Sequence, residues 1–127
     1  MVLKTPQSAL APEESTVLTK AVTRAAGLLG LTQRQVAETL GLSGPTASRL
    51  FTGKYRLSPT RAKEWELAIL FVRLFRSLDA LWGHEGTART WLESYNTALG
   101  AAPLDLIKSA AGLVRVVDYL DHARGRV

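Results

Sequence analysis

The chain has 127 residues, 46% of them hydrophobic and 21% charged, which suits one compact globular domain or two small joined ones and not a disordered chain. It has no cysteine and two histidines, His84 and His122; this excludes disulfide scaffolds, cysteine zinc sites, iron–sulfur ligation and a cysteine nucleophile, and argues against a histidine metal site. Sixteen Lys and Arg against eleven Asp and Glu leave +5, and the whole excess falls in residues 1–82, since residues 83–127 hold five of each sign.

The opening MVLKTPQSALAP lacks the apolar core of a signal peptide, and no run of 18 uncharged apolar residues follows, so the expected location is the cytoplasm. Residues 1–12 read as a flexible arm. Helical periodicity then runs throughout, and clean strand alternation is absent, which predicts an all-α fold. A first helix spans Pro12–Leu29, with Glu13 and Glu14 at its positive end and Gly30 as its stop. A second starts at the cap Thr32 and ends at Gly41, and a third starts at Ser43–Pro45 and ends at Gly53. From Pro59 to Trp82 nothing breaks the helix. It carries two apolar stripes, one through Trp65, Ala68, Ile69, Val72 and Phe75, the other through Leu67, Leu70, Phe71, Leu74, Leu78 and Leu81. A monomer's surface helix needs only one such stripe. Two stripes suit either a central core helix or a helix shared with a second subunit, and the sequence favours a homodimer through Trp65, Ile69, Val72 and Phe75. Beyond Gly83 come a short helix over Thr87–Tyr95, a turn-rich stretch over Asn96–Pro103, a short helix PLDLIKSA, an interruption at Gly112, and a last helix LVRVVDYLDHA ending near Gly125.

Residues 31–53 carry the first motif. Ala37 is small, Gly41 follows four positions on, Leu42 ends the turn, and Ala47, Leu50 and Phe51 give the next helix an apolar face. Two steeply crossing helices need a small residue at the crossing and a glycine in the tight turn. The third helix is then free to enter a major groove. Arg34, Arg49, Lys54, Arg56 and Arg61, opposed between 31 and 61 only by Glu38, form a patch suited to polyanions. Arg49 is the natural guanine reader, with Thr46 three residues before it, and Ser48 is a weaker candidate. Lys54, Tyr55 and Arg56 are placed to grip the DNA backbone.

The stretch resembles the Xre-type helix-turn-helix, through Leu31-Thr32-Gln33, Ala37, Leu40-Gly41, Ser43, Ser48-Arg49-Leu50 and Gly53-Lys54. The resemblance implies a phosphate contact for Gln33 and places Ser43 in the DNA-binding set. It also puts Gly44 and Pro45 where such repressors most often read bases, and neither offers a side-chain hydrogen bond. The second half resembles the toxin-binding domain of the Xre/MbcA/ParS antitoxins through Trp91-Leu92, Asn96, Leu99-Gly100, Pro103-Leu104-Asp105-Leu106, Gly112, Val116, Leu120 and Gly125, and Lys63–Gly83 is similar to that family's own helix-turn-helix domain. The implied organisation is an arm (1–12), a DNA-binding and dimerisation domain (13–83) with a long dimerising helix, and a small helical toxin-binding module (84–127). The implied partner is a RES-domain toxin that consumes NAD or transfers its ADP-ribose. The antitoxin would block that toxin's site and repress its own operon. Trp91, Asn96, Leu104, Gly112, Val116 and Leu120 are the expected toxin contacts, and Arg124, Gly125 and Arg126 form a basic tail suited to a pyrophosphate pocket.

No P-loop, dinucleotide motif or His–carboxylate pairing is present, so neither an enzyme nor a protein with a cofactor or metal is expected. The alternative reading is a stand-alone helix-turn-helix repressor whose C-terminal module senses a small ligand.

Overall fold

The computed structural model describes residues 4–83 and 85–125, with side chains described from residue 13 onward. The fold is all-α. Its helices are α1 (Lys4–Leu29), α2 (Gln33–Leu40), α3 (Gly44–Phe51), α4 (Ala62–Trp82), α5 (Thr87–Glu93), α6 (Pro103–Leu106) and α7 (Ala110–Ala123). One isolated bridge, Asn96 to Ala101, accompanies them among the described residues.

Local chemistry explains most boundaries. Thr32 caps α2 with a full capping box: its hydroxyl accepts from the Gln35 N–H at 3.1 Å, and the Gln35 side chain accepts from the Thr32 N–H at 2.9 Å. Gly41 ends α2 in the left-handed region at φ 72°, and the Leu42 N–H closes onto the Ala37 carbonyl at 2.9 Å. Ser43 caps α3, accepting from the Thr46 N–H at 3.2 Å, and Pro45 sits in the first turn, where a missing N–H costs nothing. Between α3 and α4, Ser58 and Thr60 share a hydroxyl–hydroxyl bond of 2.8 Å. This turn delays α4 to Ala62, three residues beyond Pro59.

Two expectations are corrected. Helix α1 begins at Lys4, so the expected arm over 1–12 is helical from residue 4, and residues 1–3 lie outside the described residues. Ala, Leu and Gln between residues 7 and 11 are good helix formers, and Pro6 falls in the first turn, where it is tolerated. Gly112 does not interrupt the last helix. It lies inside the first turn of α7, its N–H bonded to the cap Ser109 at 3.0 Å. A Cβ there would run into the backbone carbonyl of Leu106. Glycine is therefore demanded by the close approach of α6 to α7 and not by a break in the helix.

Helix α4 is the centre of the molecule. Leu67, Phe71, Leu74 and Leu78 are buried, and so are Ala68 and Val72. Helix α1 covers it with Val22, Ala25, Ala26 and Leu29, and α7 covers it with Leu113, Val116, Val117 and Leu120; all belong to one continuous core. Most of both apolar stripes is thus used within the chain. Burial of each such side chain stabilises by about 1.5–3 kcal/mol, and Phe71→Ala removes the largest of them, at a cost of about 3–5 kcal/mol. Two polar ties cross the α4–α7 seam: Arg73 pairs with Asp121 at 2.7 Å, and Arg124 donates to the buried Ser77 hydroxyl at 2.9 Å.

Candidate nucleic-acid interface and partner surface

The inward arc of α3 is set by Ala47 and Leu50, both buried, with half-buried Phe51 beside them. The 3.6-residue period then points Pro45, Ser48, Arg49 and Thr52 outward, and all four are exposed. Thr46 is not on that ridge. It is half-buried, its N–H bonded to Ser43 and its hydroxyl oxygen accepting from the Ser43 hydroxyl at 2.9 Å. Arg49 therefore shares the outer ridge with Pro45, one turn before it. Gln33, the first residue of α2, is exposed beside it. An open hollow of about 530 Å³ separates the two helices here, lined by Gln33, Arg34, Ala37, Glu38, Leu42 and Gly44. Arg34 and Glu38 form an ion pair at 3.8 Å.

Beyond α3, Lys54 and Arg56 are exposed, but Tyr55 turns inward. Its hydroxyl donates to Glu64 at 2.6 Å, and its ring lies 4.8 Å beneath the Arg61 guanidinium. Burial, and then the Glu64 carboxylate, hold the phenol pKa above its ordinary value. Tyr55 fastens the loop to α4 and leaves no hydroxyl free for a phosphate.

On the other half, Trp82, Trp91 and Tyr119 form a ladder, with ring centroids 5.5 Å apart for the first pair and 6.1 Å for the second. Trp91 and Leu104 are half-buried, while Tyr95 and Val114 are exposed. Gly112, Val116 and Leu120 lie in the core. Asn96 builds a turn: its side-chain oxygen accepts from the Leu99 N–H at 3.0 Å, and its backbone pairs with Ala101 and Gly100.

Residues 8–73 match the family model of the antitoxin Xre-like helix-turn-helix domain, and residues 77–126 match that of the antitoxin Xre/MbcA/ParS C-terminal toxin-binding domain. The chain belongs to the Xre/MbcA/ParS antitoxins. No curated protein matches it.

The antitoxin thus joins a DNA-binding helix-turn-helix to a toxin-binding domain. Of the expected contacts in the second half, the structure leaves Trp91, Leu104, Arg124 and Gly125 at the surface, and Arg126 lies outside the described residues. Gly112, Val116 and Leu120 are buried in the chain's own core, and Arg124 donates to Ser77. Sequence reasoning passed over Trp82 and Tyr119, which stack on Trp91 only once the end of α4 and α7 are brought beside α5.

Of the residues expected at a dimer interface, Ile69 is 43% exposed, Trp65 and Phe75 are half-buried, and Val72 is buried. Trp65, Ile69 and Val72 line an apolar groove of about 560 Å³ with Val17, Leu18 and Ala21 of α1, flanked by Glu13, Glu14 and Arg76. Val17 is 68% exposed there. No described helix is long and apolar enough to cross a membrane.

Proposed function

We propose that this antitoxin neutralises a RES-domain, NAD-consuming toxin by covering its active site, and represses its own operon by binding promoter DNA in the cytoplasm. The observation that carries the reading is the order of the two matched domains in one chain. The division of charge between the halves supports it, since a basic half suits DNA and a neutral one suits a protein surface. Gln33, Arg49, Lys54 and Arg56 make the DNA contacts, with Ser43 positioning α3. Trp91 and Leu104, with Trp82 and Tyr119, make the toxin contacts, and the basic tail of Arg124, Gly125 and Arg126 reaches the toxin's NAD site. The protein acts as a homodimer joined across the α1–α4 groove, which carries exposed Val17 and Ile69 with carboxylates at one edge and Arg76 at another.

The test is co-expression with the product of the adjacent reading frame. The expected result is a stable complex, cells that keep their NAD, and a loss of NAD when Arg124–Val127 are deleted. A trimmed chain that protects as fully as the intact one removes the tail from the mechanism and leaves blockade to the aromatic surface. A neighbouring protein that neither binds nor depletes NAD refutes the RES assignment.

A further inference from the structure

The outward ridge of α3 has an unusual first turn. Gly44 has no positive φ, and a Cβ built on it meets nothing within 4 Å apart from its chain neighbours and its own helix backbone. It is helical and precedes Pro45, whose ring crowds a Cβ on the residue before it, so glycine eases the start of α3. The same absence leaves the first turn bare toward anything approaching from outside. Next to it, the exposed Pro45 ring offers only carbon. The Ser43 and Thr46 hydroxyls are engaged with each other, Ser43 accepting from the Thr46 N–H and donating to the Thr46 hydroxyl oxygen. One turn later comes the exposed Arg49. The ridge therefore presents a bare backbone, an apolar ring, the Ser48 hydroxyl and a guanidinium, in that order.

In the major groove one base edge is apolar, the thymine C5-methyl, and one is a paired acceptor, guanine O6 with N7. We propose that Pro45 reads a thymine methyl group, that Gly44 is the clearance which lets that base edge close on the first turn of α3, and that Arg49 reads a guanine in the same half-site. Four residues of helix advance about 6 Å, and successive bases on a strand lie about 3.4 Å apart, so thymine and guanine fall within about two base steps of each other. The inference rests on the reading of α3 as the element that enters DNA, and it turns the two positions that cannot hydrogen-bond to a base into readers of shape and methyl groups.

The experiment uses the full-length protein. A duplex library with a random core is enriched for binding, and the affinity for the selected duplex is compared with that for duplexes in which single thymines are replaced by deoxyuridine. One thymine per half-site, within about two steps of a guanine, should lose about fourfold in affinity with its methyl, the effect of one buried carbon. The same replacement should be silent in Pro45→Ser. Gly44→Ala should weaken the selected duplex several-fold while the protein still melts cooperatively, any small loss of melting temperature coming from the Cβ against the Pro45 ring. Binding that is indifferent to every deoxyuridine, an unchanged methyl effect in Pro45→Ser, or wild-type affinity in Gly44→Ala overturns the inference and leaves DNA binding by α3 standing. Failure to bind any duplex overturns that underlying reading, and the inference with it.

Discussion

Tyr55 lies between Lys54 and Arg56, yet its hydroxyl serves Glu64 at 2.6 Å and not an external phosphate. Because its phenol pKa is raised above 10.0, the folded protein holds that proton more tightly than the unfolded chain does. The resulting stability is complete below about pH 10 and is lost as pH climbs through the higher folded value. Urea unfolding measured from pH 9 to 11 should therefore show a steeper loss in the wild type than in Tyr55→Phe, while at neutral pH the variant should be weaker by about 1 kcal/mol. Parallel pH slopes would refute the linkage. Gly112 gives a second test. Gly112→Ala forces a methyl group against the Leu106 carbonyl, and overpacking of that kind costs about 1–3 kcal/mol. The loss should appear in thermal unfolding, and toxin binding should fall with the disturbed α6–α7 corner.

Among the elements, α3 and α4 carry the separable predictions. Arg49→Ala should cost about 1–3 kcal/mol on a cognate duplex and little on random DNA, whereas Lys54→Ala should weaken both and flatten the salt slope by about one unit. Anisotropy titrations at several salt concentrations distinguish them, and equal losses on both DNAs would show that Arg49 does not read a base. In the α1–α4 groove, Val17→Asp and Ile69→Asp place a charge on positions already exposed in the single chain. They should leave the melting temperature of a monomer nearly untouched while splitting a dimer in light scattering. A wild type that scatters as a monomer at micromolar concentration rejects the dimer outright. The caps at Thr32, Ser43 and Gly41 were legible because each is a local device whose chemistry lies within four residues. The pairing of Arg49 with Pro45 was not, because a spacing of three or four from Arg49 suits either neighbour until Ala47 and Leu50 are seen to face inward. Val116 and Leu120, expected as toxin contacts, lie buried in the chain's own core, and the sequence did not show this for a related reason: an apolar stripe has the same period whether a partner or its own α4 covers it. The role of Gly112 was hidden because a glycine that ends a helix and a glycine that admits a neighbouring carbonyl look alike until α6 is placed.

The molecule as a whole has one core, running from Val22 on α1 through Phe71 on α4 to Leu120 on α7. Removing residues 84–127 would expose the face of α4 that α7 covers, so a 1–83 fragment should melt far below the intact chain and bind DNA poorly. In the full-length protein, far-ultraviolet dichroism and tryptophan emission, the latter reporting from Trp65 and Trp82 on α4 and Trp91 on α5, should show coincident transitions. Two separated transitions would contradict the shared core. If the core is shared, the operator-reading ridge and the toxin-facing surface cannot wear out independently. A protease or a heat pulse that opens α4 ends both activities in the same molecule at the same moment. Under the proposed autorepression, silencing and protection then decay on one clock, so the copy that ceases to guard against the toxin is also the copy that stops silencing the gene for its replacement.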